Sequence, residues 1–85
     1  MNDEALVLDI LDRTLELGGR AQQMTRETPL LGALPELDSM AVVWLVEALE
    51  EELATRIEDD EITAELFATV GTLTDFVTQK RAAQG

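Results

Sequence analysis

The residues best placed to do chemistry in this 85-residue chain are Asp38 and Ser39, an acid directly followed by a hydroxyl. A serine hydroxyl is a weak nucleophile until a base takes its proton, and that base is most often histidine. The chain has no His and no Cys, so it holds no Ser-His-Asp machinery, no disulfide and no thiolate metal site. The run Asp59-Asp60-Glu61 lacks the alternating ligands and the glycine of a calcium loop, and no metal role is assigned to it. No Gly-x-Gly-x-x-Gly, P-loop or nucleophile elbow occurs. The chain therefore reads as a protein that is not an enzyme. Taken by itself, Ser39 reads as a favoured helix N-cap.

Charge narrows the partners. Lys and Arg number 6 against 18 Asp and Glu, a formal net charge of −12. Between Glu27 and Asp75 thirteen acids face Arg56 alone, which accounts for the whole excess. Such a field repels nucleic acid and anionic lipid and attracts basic proteins. No apolar run is long enough to span a membrane, and the acidic Met1-Asn2-Asp3-Glu4 start lacks a basic targeting region. The expectation is a soluble, cytoplasmic, monomeric protein.

The elements that would position Ser39 follow from hydrophobic period. Leu6, Val7, Ile10, Leu11 and Leu15 recur at helical spacing, with Asn2 or Asp3 available as a cap and Gly18-Gly19 as a stop, which predicts helix I over about 3–17. Residues 18–38 lack sustained periodicity and hold both prolines, Pro29 and Pro35. Leu30, Leu31, Leu34 and Leu37 predict that this long loop packs on the core. Helix II runs over 39–54 from an N-cap at Ser39, and a short helix III is expected near 62–67. Thr72-Leu73-Thr74-Asp75 reads as a variant capping box opening helix IV over 72–82. The expected fold is all-α: one four-helix bundle, a single domain over 1–85, with a long loop between helices I and II.

Helix II carries two stripes. Val42, Leu45, Val46, Leu49 and Leu53 form an unbroken row suited to a core, while Met40, Val43, Trp44, Glu47 and Glu51 repeat the same intervals on another side. A helix in so small a bundle rarely buries both. Either Trp44 packs on the loop or helix I, or Met40, Val43 and Trp44 form an exposed patch of a composition suited to an interface. The acids Glu47, Glu50, Glu51 and Glu52 beside it read either as part of that surface or simply as a solvated face.

The stretch Leu37-Asp38-Ser39-Met40, followed by a hydrophobic helix ending Ala48-Leu49-Glu50-Glu51-Glu52-Leu53, closely resembles the acyl carrier protein family. The tail from Phe67 through Thr69-Val70-Gly71-Thr72-Leu73 to Val77 resembles that family's passage from helix III to helix IV. The resemblance implies that Ser39 is the attachment serine for 4′-phosphopantetheine, donated by coenzyme A through a separate phosphopantetheinyl transferase, which makes the chain a phosphoprotein. It implies that Asp38 helps present the site to the transferase, and that the thiol of the arm holds acyl groups as thioesters. It further implies that Met40, Val43, Trp44, Glu47, Glu50 and Glu51 form the face that docks acyl-loading and acyl-using enzymes with basic surfaces. Trp44 stands where the fatty-acid carriers commonly have an acid, and Glu47 where they commonly have an apolar residue. The run from Pro29 to Val43 is similar to stand-alone carriers of bacterial exosortase and exopolysaccharide gene clusters. Two alternatives accompany this reading: an aminoacyl or peptidyl carrier with the same arm, and an unmodified helical adaptor that binds partners through helix II.

Overall fold

At the start of the chain the Asn2 side chain accepts a hydrogen bond from Ala5 N at 2.7 Å, satisfying an amide that the first helical turn leaves free. From that cap, the computed structural model, which describes residues 2–84, forms α1 over Asp3–Leu15. Two further α-helices follow, α2 over Ser39–Leu53 and α3 over Val70–Gln84, with 3-10 turns at Arg20–Gln23 and Asp59–Glu61. The protein is all-α: among the described residues there is no strand, only an isolated antiparallel bridge between Pro29 and Thr69. None of the described helices is long and apolar enough to cross a membrane.

Every residue of the expected helix I stripe is buried, and Leu8 joins it. The helix is shorter than its periodicity suggests. It ends at Leu15 because Glu16 turns into the left-handed region at φ 54°, after which Gly18 and Gly19 also take positive φ. The carboxylate of Asp12 then accepts from Gly19 N at 2.9 Å and Ala21 N at 3.2 Å, so the last full turn of α1 also holds the start of the next segment.

The long connection to α2 is a packed structure. Leu17, Ala21, Leu30 and Leu37 are buried and Leu34 is half-buried, whereas Leu31, expected inside, stands 41% exposed. Backbone bonds explain why this loop keeps one shape. Leu30 N and Leu31 N donate to the carbonyls of Ala68 and Phe67, and Val70 N and Gly71 N donate to those of Thr28 and Arg26. Gly71 suits that approach, since a Cβ there would crowd Arg26 O at 3.0 Å.

Two expectations for the second half need correction. No regular helix III forms over 62–67; the segment makes turns, with Leu66 N bonded to Thr63 O and Ala68 N to Glu65 O, and this suffices to bury Leu66 and Phe67. The described residues thus contain three α-helices where four were expected. The last helix begins at Val70, and its reciprocal cap lies three residues earlier than the one expected at Thr72. Thr72 N donates to Thr69 Oγ1 and Thr69 N to Thr72 Oγ1, both at 3.1 Å. α1 lies against both other helices, while α2 and α3 touch each other much less. Among the helices α2 is therefore held mainly by α1, and Met40, Val43 and Trp44 on another side of it stay exposed.

Candidate functional site

Asp38 and Ser39 divide the work at the head of α2 differently from the sequence expectation. Asp38 is the N-cap: its backbone is extended, at φ −97° and ψ −174°, and its Oδ1 accepts from Ala41 N at 2.9 Å. Ser39 is the first helical residue, exposed, and its hydroxyl has no hydrogen-bond partner among the described residues. The correction matters chemically. A serine used as a cap would turn its oxygen toward the helix amides; with Asp38 in that post, the Ser39 oxygen is left for an incoming group. The amides of Ser39 and Met40 likewise lack partners among the described residues, and they sit at the positive end of a 15-residue helix. A phosphodiester on Ser39 fits there, next to free N–H donors.

The faces of α2 separate as the two stripes require. Leu45 and Leu49 are fully buried, Val46 and Leu53 nearly so, and Val42 is half-buried. Ala41, absent from the expected stripe, is buried as well. On the other side Met40 is 55% exposed, Val43 47% and Trp44 51%, so Trp44 packs on neither the loop nor α1. Glu47 and Glu51 continue this exposed face toward the C-terminus and make no ion pair among the described residues. Glu50 differs: its Oε2 accepts from Ile57 N at 2.8 Å and ties α2 to the chain that leaves it. Glu52 turns to Arg13 of α1, with 3.0 Å between them.

The cations explain why so much negative charge stays free on α2. Arg13, Arg20, Arg26, Arg56, Lys80 and Arg81 each lie within 4 Å of a carboxylate on the protein itself. None is left to neutralise Glu47 or Glu51, so the field in front of Met40 and Trp44 is acidic. Two of the pairs also shift acidities. The hydrogen bond from Arg20 holds the Glu36 carboxyl below its ordinary range, helped by a backbone hydrogen bond and opposed by partial burial. Lys80 does the same for Glu61, helped by the Glu58 amide.

Beside the exposed face lies a feature that sequence reading missed: an open groove of about 920 Å³ between α2 and residues 54–62. Val42, Val43, Val46, Ile57 and Ile62 line it, with Glu47 and Arg56 at its polar parts. Val42, Val43 and Val46 were visible as periodic residues, yet the wall opposite comes from the irregular segment whose path no period dictates. Among the described residues no cluster of acids could hold a metal ion.

No family model and no curated protein matches the chain. Among solved structures, it is similar to the solution NMR structure of the holo acyl carrier protein of Nitrosomonas europaea. The two share 45% sequence identity and a TM-score of 0.89, over 96% of this chain and 99% of that one. Identity of this degree along nearly the whole length, joined to an exposed, unpartnered serine at the head of a half-uncovered helix, establishes that the chain belongs to the acyl carrier protein family.

Proposed function

We propose that Ser39 takes the 4′-phosphopantetheine arm and that the single carrier domain over 1–85 presents the arm's acyl cargo along α2. Acyl carrier proteins carry and do not catalyse, and this chain does the same. Its free Ser39 hydroxyl is the observation that carries the assignment of the site. In the transfer, the Ser39 oxygen attacks the phosphorus that bears pantetheine in coenzyme A. An O–P bond forms, the pyrophosphate bond breaks, and adenosine 3′,5′-bisphosphate leaves with the electron pair. The hydroxyl proton goes to a base of the transferase, since this chain has no histidine to receive it. Asp38 holds the amide of Ala41 through one oxygen and offers the other to the transferase and its coenzyme A. The thiol of the arm holds acyl groups as thioesters, chemistry that a chain without cysteine cannot supply from its own residues.

The docking face is Met40, Val43 and Trp44 with Glu47 and Glu51, and it suits enzymes that set an apolar pocket among basic residues. Glu50 contributes charge but is committed to Ile57 N. Trp44, in the place of an acid common among fatty-acid carriers, supports partners of another pathway, in line with the likeness to exopolysaccharide-cluster carriers. Val46 lies about 10 Å along the helix axis from Ser39 at 1.5 Å per residue. The apolar wall of the groove is therefore close enough to shelter part of a short acyl chain. The absence of a long apolar helix among the described residues and the acidic surface support a soluble, cytoplasmic, monomeric carrier.

The test is incubation of the apo protein with coenzyme A and a broad phosphopantetheinyl transferase, followed by intact-mass measurement. Wild type gains one arm and Ser39→Ala gains none. No gain by wild type, or equal gain by Ser39→Ala, refutes the assignment and leaves the unmodified adaptor. Mass spectrometry of the protein from its native cell distinguishes acyl from aminoacyl cargo.

A further inference from the structure

We infer that Arg20 and Glu36 are positioning residues for the modification of Ser39, holding the segment that delivers the serine to its transferase. The inference rests on the reading of Ser39 as the attachment serine. Residues 32–38 bring the chain out of the long loop and into α2. Their backbone bonds are local: Ala33 N and Leu34 N reach back to Leu30 O, and Leu37 N to Leu34 O. Beyond them, the amides of Asp38 and Ser39 have no partner among the described residues.

The lateral position of the segment therefore depends on side chains. Leu37 is buried, but an apolar contact has no direction and lets the backbone rotate about it. Glu36 supplies the direction. Its Oε2 accepts from Arg20 Nη2; among the described residues this is the one polar side-chain tie from residues 32–38 to any part of the chain other than α2, which Asp38 caps. Charge-assisted hydrogen bonds of this kind fix orientation as well as distance.

Arg20 is itself held. Its Nε donates to Leu17 O at 3.1 Å, and the amides on either side of it, Gly19 N and Ala21 N, are bound by the Asp12 carboxylate of α1. A continuous series of contacts thus runs from α1 through Asp12, Arg20 and Glu36 to the residues before Ser39. The other Glu36 oxygen, Oε1, is buried and has no partner among the described residues. With its side chains partly exposed to solvent, the pair is poorly built for stability alone. It is well built for fixing where the backbone goes.

A pair with side chains 59% and 31% exposed adds little to stability, so geometry and folding can be tested separately. The experiment follows the transferase reaction on apo protein with coenzyme A, separating kcat from the KM for the carrier, alongside thermal melting. Glu36→Ala and Arg20→Ala are expected to lower kcat about tenfold or more, the scale on which small misplacements slow catalysis. The KM should stay near wild type, because the exposed face of α2 is unchanged. Glu36→Gln, which keeps an acceptor for Arg20, should recover most of the rate. Arg26→Ala breaks the comparable pair with Asp75, 3.0 Å apart, which ties the loop to α3 and not to the residues before Ser39, and should leave kcat unchanged. Positioning is refuted if Glu36→Ala keeps the wild-type kcat, if Arg26→Ala slows it equally, or if Glu36→Gln is no better than Glu36→Ala. A wild type that takes no arm refutes the attachment reading and the positioning role together; a modified wild type beside an unimpaired Glu36→Ala refutes positioning alone.

Discussion

The two sides of α2 are built from the same kinds of residue and serve opposite ends. Leu45 and Leu49 are wholly buried and join α2 to α1, while Met40, Val43 and Trp44, half a turn away, stand about half exposed. Hydrophobic residues on a helix are ordinarily explained by the core they fill. Here only one stripe has a core to fill, because the bundle is too small to cover the other. On a protein with a formal charge of −12, like-charge repulsion opposes association through the uncovered apolar patch, and Glu47 and Glu51 extend that charge along the same face. The buried side therefore fixes the helix, and the exposed side is free to vary with the partner.

If that division is real, the largest effect should come from the buried side. Leu49→Ala should cost about 2–5 kcal/mol of stability, the range for fully buried leucines, read by urea denaturation. A cost below about 1 kcal/mol, typical of surface positions or milder changes, would mean that the core stripe is no more essential than the exposed one. Trp44→Ala should behave in the reverse way. Stability should change by no more than about 0.5 kcal/mol, as for surface sites, and Ser39 should still be modified. Affinity for an acyl-loading enzyme should fall by about 2 kcal/mol, roughly 30-fold in Kd, as for a central interface tryptophan. Titration calorimetry against the partner would check this, and unchanged affinity would reduce the patch to ordinary surface.

Much of this division was legible in the sequence, because both stripes of α2 follow the helical period and only one can be buried. The burial of Ala41 was not, since a small residue adds nothing to an apolar stripe. Asp38 and Ser39 are nearly equal as N-caps, so the pattern locates the helix start only to within one residue. That one residue decides whether the serine oxygen is engaged or free. Segment 62–67 has the apolar content of a helix, but Leu66 and Phe67 reach the core from turns, an outcome that depends on where the loop carbonyls of 66–68 are needed. The family resemblance makes Glu50 a docking acid, and only the fold shows it bonded to Ile57 N. The tie between Arg20 and Glu36 spans 16 residues of irregular chain, a distance over which no periodicity gives a signal.

The smallest of these effects is an acid titration, and it sharpens the comparison because the buried stripe of α2 has no group to titrate. Lys80 and Glu61 join α3 to the second 3-10 turn at 2.7 Å, and that turn leads away from the far end of the same helix. Lys80 also stands 5.6 Å from the centre of the Phe76 ring. The hydrogen bond from Lys80, with that from the Glu58 amide, lowers the folded-state pKa of Glu61 below that of an unfolded glutamate, about 4.3. In acid the unfolded chain takes up the proton first, so the stability from this pair is fully present above about pH 4.3 and is lost as pH falls through the folded-state value. The quantity to measure is the difference in stability between wild type and Glu61→Gln, because the titration of the other acids is common to both and largely cancels. It should be constant above about pH 5 and shrink toward zero in stronger acid. Wild type and Glu61→Gln should differ little in partner affinity at neutral pH, since Glu61 lies outside the exposed stripe of α2. A difference that grows as pH falls would reverse the sign of the linkage. A loss of partner affinity as large as that of Trp44→Ala would extend the docking face beyond α2, and the helix would no longer divide into one side for stability and one for recognition.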